Sequence, residues 1–179
     1  MRVLVTGVPG TGKSSLAPYI ARRLGAKLIA INALVRQKKL YSRIERDGTL
    51  VVRVESLKRE LARLLRQEKN AVVEGHLGCE MRLPVDLVIV TRTNPRVLAR
   101  RLRARGYAKR KIEENVLAEA LDYATINATQ RFGKVYEIDT TGRRADRAIA
   151  DILAGKGERY KAGWVSWSDE LARLAAKGF

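Results

Sequence analysis

Gly7-Val8-Pro9-Gly10-Thr11-Gly12-Lys13-Ser14 joins three glycines to a lysine and a hydroxyl at the spacing of a phosphate-binding loop. Without Cβ atoms at 7, 10 and 12 the backbone can curl around an anion with successive N–H groups pointing inward. Lys13 would then reach the β- and γ-phosphates of a nucleoside triphosphate, and the Ser14 hydroxyl would ligate Mg²⁺. The surroundings agree. Arg2–Thr6 reads as a short buried strand and Ser15–Leu24 has helical apolar spacing, so the loop joins a strand to a helix N-terminus and its unpaired donors.

Four further side chains could take part in phosphoryl transfer. Glu74 closes an apolar strand, where a carboxylate can hold Mg²⁺ through water; a structural ion pair is the alternative. His76, the single histidine, could position a water or an acceptor oxygen, or serve as a plain hydrogen-bonding residue. Arg105 precedes Gly106-Tyr107, a helix break at which a lid could bring a guanidinium over the transferring phosphate; otherwise it is one more surface arginine. Arg36 could clamp an acceptor phosphate bidentately or belong to a basic face. Cys79 reads as a small buried thiol and Asp139 as a capping residue for Thr140-Thr141 or the next helix.

The elements that must position these residues alternate. Strands are expected at 2–6, 26–31, 70–74, 85–90 and 134–139, and helices at 15–24, 32–40, 54–67, 95–103, 109–129 and 144–153. Residues 41–50 are polar and broken at Asp47-Gly48. The long helix should turn Ile112, Val116, Leu117, Ala120, Leu121 and Ala124 inward, and Pro95 should follow a cap at Thr93 or Asn94. Strands too apolar for one wet face imply an α/β fold, a five-stranded parallel sheet with helices on both faces. Ligands on such sheets bind at the strands' carboxyl ends, which aligns Gly7, Glu74, Arg92 and Asp139 along one edge. Trp164 and Trp167 fall on an expected helix near Ser168-Asp169, as an apolar anchor onto the core rather than a base-stacking site.

The 179 residues suit one domain; no run reaches the ~18 apolar residues of a membrane span, and a cytoplasmic protein is expected. One cysteine excludes an intramolecular disulfide and a Cys-based zinc site. Lys and Arg number 36 against 19 Asp and Glu, a net charge of +17 that a nucleotide alone does not explain. RNA or a ribonucleoprotein surface is the favoured partner over a merely solvated basic surface. No acidic residue precedes Glu45 and none lies between Asp86 and Glu113, a gap that holds Arg92 and eight other cations from Arg96 to Lys111.

The chain resembles the small adenylate kinase-like NTPases of ribosome assembly, the adenylate kinase isoenzyme six family. The resemblance rests on the loop Gly7–Ser15, Arg36 with Leu40-Tyr41, Val73-Glu74-Gly75-His76 with Gly78-Cys79, Arg92-Thr93, Arg105-Gly106-Tyr107 and the tryptophans of the tail. It implies a P-loop fold of the nucleoside monophosphate kinase type with a small lid, and an ATPase with adenylate kinase activity using ATP, AMP and Mg²⁺. It also implies a small-subunit platform ribosomal protein as partner and a role in late rRNA maturation. By position, ATP contacts fall on Gly10, Gly12, Lys13, Ser14, Ser15 and Arg105, the metal on Ser14 and Glu74, the monophosphate segment on about 30–53, the lid on about 104–114 and a helical tail on 159–179. Two departures stand out: Glu74 replaces the family's Asp, and Asn32-Ala33 replaces its Gly-Asp pair. An archaeal member would fit the Arg-rich, Cys-poor composition. The competing readings are a nucleotide-switched assembly factor with little turnover and a small-metabolite kinase such as a shikimate or cytidylate kinase.

Overall fold

The structure, a computed structural model, describes residues 1–45, 48–142 and 145–176; Asp47 of the expected turn and Arg144 of the expected helix lie outside them. Five parallel strands make one sheet in the order β2 (Lys27–Ala30), β5 (Ala71–Glu74), β1 (Arg2–Thr6), β6 (Leu87–Arg92), β7 (Val135–Asp139). The register pairs Val3 with Val72 and Leu87, and Leu4 with Val73 and Val88. Because side chains alternate across a strand, Val3, Val5, Val72 and Ile89 share one face with α1 (Lys13–Leu24) and α7 (Ala145–Leu153). Leu4, Val73, Val88 and Val90 share the other with α2 (Ile31–Gln37), α3 (Val54–Gln67) and α6 (Tyr123–Thr129). On α3, Leu57, Leu61 and Leu65 recur every four residues and are fully buried, each contributing about 1.5–3 kcal/mol of transfer free energy. No helix among the described residues is long and apolar enough to cross a membrane.

One local expectation gains a structure and two are corrected. The polar stretch after α2 pairs as an antiparallel hairpin, β3 (Tyr41–Ile44) with β4 (Leu50–Val52), turning at Gly48 with φ +79°. The long helix is two, α5 (Lys109–Ala120) and α6, because Asp122 adopts a left-handed conformation at φ +55° and leaves Leu121 about half exposed instead of inward. Trp164 and Trp167 precede the last helix, α8 (Ser168–Ala175), instead of lying on it. They tie the tail down through polar contacts rather than as the expected apolar anchor: the indole N–H groups donate to the Glu137 carbonyl (2.9 Å) and the Glu119 carboxylate (3.0 Å), and Trp164 stays about half exposed. Between β6 and α5, α4 (Pro95–Ala104) starts as expected: Asn94 caps it, accepting from the Arg96 N–H at 3.0 Å, with Pro95 in the first turn.

Arg92, grouped by sequence with cations seeking phosphate, is withdrawn from solvent. It ends β6 at 1% exposure and pairs with Glu119 (2.8 Å), Glu137 and Asp122. Burial pushes the Glu119 carboxyl upward, opposed by the Arg92 charge and by N–H donors from Thr93 and Trp167. Removing one partner of a buried ion pair costs about 3–5 kcal/mol. Arg92→Met should therefore destabilise the fold by about that amount in urea unfolding; a loss below about 1 kcal/mol would show that the carboxylates escape to water.

Candidate functional site

The loop between β1 and α1 lies against β6 and α4 more closely than side chains would permit. A Cβ on Gly7 (φ +139°) would sit 2.6 Å from the Thr91 carbonyl, and one on Gly10 (φ +93°) would sit 2.7 Å from Leu98 Cδ1 and 2.9 Å from Leu102 Cδ2. Gly12 enters α1 in the left-handed region at φ +92°. Hydroxyls tie the loop down: Thr11 donates to the Val8 carbonyl (2.8 Å) and pairs with Thr91 (2.6 Å), and Thr140 donates to the Thr11 carbonyl (2.7 Å).

Lys13 is buried at the start of α1, and its Nζ donates to the Val8 carbonyl at 3.0 Å. Burial lowers its pKa to about 8, against the opposing pull of the Glu74 carboxylate. Next to it, the Ser14 hydroxyl donates to Glu74 at 3.2 Å. A hydroxyl and a carboxylate converging beside a phosphate cradle fit a hard divalent cation that completes its shell with phosphate and water oxygens. Among the described residues no group of three His, Cys, Asp or Glu gathers to hold a metal unaided.

Two depressions flank the loop. A cleft of about 670 Å³ runs from Gly7–Pro9 past His76 and Cys79 to the hairpin tip at Gly48-Thr49 and to Gly106-Tyr107. His76 lies on the short 3-10 turn (His76–Glu80) after β5, which is pressed onto the sheet: Cβ atoms at Gly75 and Gly78 would fall 2.7 Å from Ile31 and 2.5 Å from Leu4. Burial, then the positive charge of Lys13, lowers the His76 pKa to about 4, so the imidazole is neutral at physiological pH. Cys79 is the buried thiol expected, its Sγ on the His76 carbonyl at 3.2 Å, and burial raises its pKa. Asp139 accepts from the Thr141 N–H at 2.8 Å, the expected capping role.

The second groove, about 350 Å³, is lined by Gly10, Gly12, Ser15, Arg101, Arg105 and Thr140. Lys13, Ser14, Glu74 and His76 thus gather at the carboxyl ends of β1 and β5, while Ser15 and Arg105 face this groove. Arg36 is exposed on α2 and lines neither depression. Sequence reasoning passed over Arg101, whose guanidinium donates to the Thr140 carbonyl (2.6 Å) and the Thr93 hydroxyl (3.2 Å). The signal was its place four residues before Arg105, on the same helical face.

A family model described as AAA domain matches residues 3–122. The chain is 35% identical over 179 residues to a Thermococcus onnurineus protein described as "Putative adenylate kinase", spanning 97% of this chain and 95% of that one. A protein of the same description from Methanocaldococcus jannaschii is 36% identical over 172 residues, 95% and 94% of the two chains. The shikimate kinase of Bacteroides thetaiotaomicron superposes with a TM-score of 0.61 over 86% of this chain and 96% of its own, at 18% identity, a likeness of fold alone. The sheet order, the loop and the flanking helices are those of a P-loop kinase fold, and by identity along nearly its whole length the chain belongs to the family of these archaeal proteins.

Proposed function

We propose that this chain is an Mg-ATP-dependent adenylate kinase and ATPase of the isoenzyme six type that acts in small ribosomal subunit assembly. The observation that carries the catalytic reading is the buried Lys13 ammonium, seated in a glycine loop with a groove on one side and a cleft on the other. The relatives' description supports the acceptor as AMP, the +17 charge supports RNA as a partner, and the platform ribosomal protein follows from the family resemblance alone. In this reading the chain is one kinase domain, with the monophosphate segment at about 30–53, the lid at about 104–114 and the tail from 159.

ATP lies with its triphosphate on the N–H groups of Gly10–Ser15 and its base in the groove beside Arg101 and Arg105. Lys13 exchanges the Val8 carbonyl for phosphate oxygens, and the phosphate charge returns its pKa toward the ordinary lysine value. Ser14 would hold Mg²⁺ directly and Glu74 through water, and the ion would supply positive charge to the triphosphate. A phosphate oxygen of AMP, or a water, attacks the γ-phosphorus in line as its bond to ADP breaks, while Arg105 moves in to meet the developing charge. With a pKa near 4, His76 is too weak a base to take a proton; it orients the acceptor through a neutral hydrogen bond. Arg36 reaches the acceptor phosphate only once the segment carrying it moves toward the cleft.

A coupled assay with ATP alone and with ATP plus AMP tests this. AMP should raise ADP formation well above hydrolysis, whereas a nucleotide switch with negligible turnover would show hydrolysis alone. Lys13→Ala should lower kcat/KM for ATP at least about 100-fold; retained activity would sink the assignment. The cationic form of Lys13 binds phosphate and is lost as pH rises through about 8, so kcat/KM should be level up to about pH 7, drop to about half at pH 8 and approach a tenfold fall per unit above about pH 9. His76→Gln should leave the shape of the profile between pH 5 and 8 unchanged. An inflection near 6.5 that vanishes in this variant would instead make His76 a general base.

A further inference from the structure

Helix α4 carries Arg96, Arg100, Arg101 and Arg103 within ten residues and no acidic residue. Like charges one turn apart weaken a helix, so its own stability does not call for this composition. Its apolar side is fully occupied: Leu98 and Leu102 are buried against the phosphate loop at Gly10. Arg101 is drawn inward to Thr140. Arg96, Arg100 and Arg103, at i, i+4 and i+7, share the outward face, and all three are exposed. The stripe is about 10 Å long and continues past the Gly106 bend to the exposed Lys109.

Arg96 meets Glu170 at 2.9 Å, but among the described residues no carboxylate lies within ion-pair distance of Arg100 or Arg103. On α3, Lys58 meets Glu55 and Arg63 meets Glu60 within the helix, whereas Arg59 and Arg66 are exposed without a carboxylate in ion-pair distance among the described residues; α4 differs in carrying no acidic residue of its own.

We propose that the outward face of α4, centred on Arg100 and Arg103 and flanked by Arg96, binds the phosphate backbone of RNA; this rests on the reading above that the partner is a pre-ribosomal particle. The chemistry favours a polyphosphate strand. A lipid surface needs an exposed apolar flank, and the apolar flank of α4 faces the loop. A protein partner needs aromatic or aliphatic anchors at the centre of its footprint, and the stripe offers none. Guanidinium groups bind phosphate bidentately, and such contacts make up half or more of nucleic-acid interfaces. RNA on this face and ATP on the loop would hold opposite sides of one helix.

The test compares the full-length wild type, Arg100→Glu/Arg103→Glu and Arg59→Glu/Arg66→Glu. The last pair changes net charge equally, on exposed α3 positions. The probe is a labelled single-stranded RNA oligonucleotide, read by anisotropy between about 50 and 200 mM salt. The α4 variant should bind at least about tenfold more weakly, with a salt slope shallower by about 1.4, the value for two lost single-strand phosphate contacts. The α3 variant should bind nearly as well as wild type, and adenylate kinase turnover should persist in both. Should the α4 variant melt early, Arg100→Gln/Arg103→Gln replaces it under the same expectation. Undiminished RNA binding by the α4 variant, or equal loss in the two variants, overturns the surface while leaving the RNA reading intact. A wild type that ignores RNA removes both. A wild type that prefers anionic vesicles or polyglutamate assigns the stripe to another partner and also overturns the proposal.

Discussion

The site depends on how closely a backbone loop can approach a sheet. Residues 7–12 lie so near Thr91, Leu98 and Leu102 that a methyl group at Gly7 or Gly10 would overlap them. That contact, reinforced by the Thr11, Thr91 and Thr140 hydroxyls, fixes the direction of the amide groups before any anion arrives. A cradle ordered in advance loses little entropy on binding. It also removes Lys13 from water, and the same burial that lowers the ammonium pKa makes its attraction to a phosphate stronger than at an exposed position.

The polar side of the sheet's edge is organised by a different interaction. Arg92 carries one positive charge into a pocket where three carboxylates converge, from α5, the α5–α6 junction and β7. The excess of oxygen atoms is met by N–H groups: Thr93 and Trp167 on Glu119, Gly163 and Val165 on Glu137. Hence residues 163–167 are tied into the fold by this network. The buried network joins them to β6, and the Thr93 and Thr140 hydroxyls continue the line to the Thr11 carbonyl in the phosphate loop.

Charge is distributed in keeping with this division. Cations beside the nucleotide grooves are few and positioned by hydrogen bonds, as Lys13 and Arg101 are. Those on α5 are offset by carboxylates one turn away, as are Lys58 and Arg63 on α3. Arg100 and Arg103 of α4, without a carboxylate partner among the described residues, sit on the helix that backs the loop and so add positive potential near it.

Local signals were legible in the chain itself. The glycine spacing, the Asn94-Pro95 start of α4, the leucine repeat of α3 and the five apolar strands each depend on neighbours within a turn or a strand. They therefore gave the sheet, the loop and the placing of Lys13, Ser14, Glu74 and His76 at its carboxyl edge. Folding in three dimensions decided what depended on distant partners. Arg92 became structural because Glu119, Asp122 and Glu137, 27 to 45 residues away, close around it. The 109–129 helix broke at Asp122, whose carboxylate joins that cluster, and Arg101 turned to Thr140, 39 residues on. A one-dimensional pattern records which residues can be buried or charged; only packing decides which opposite charge, if any, each one meets.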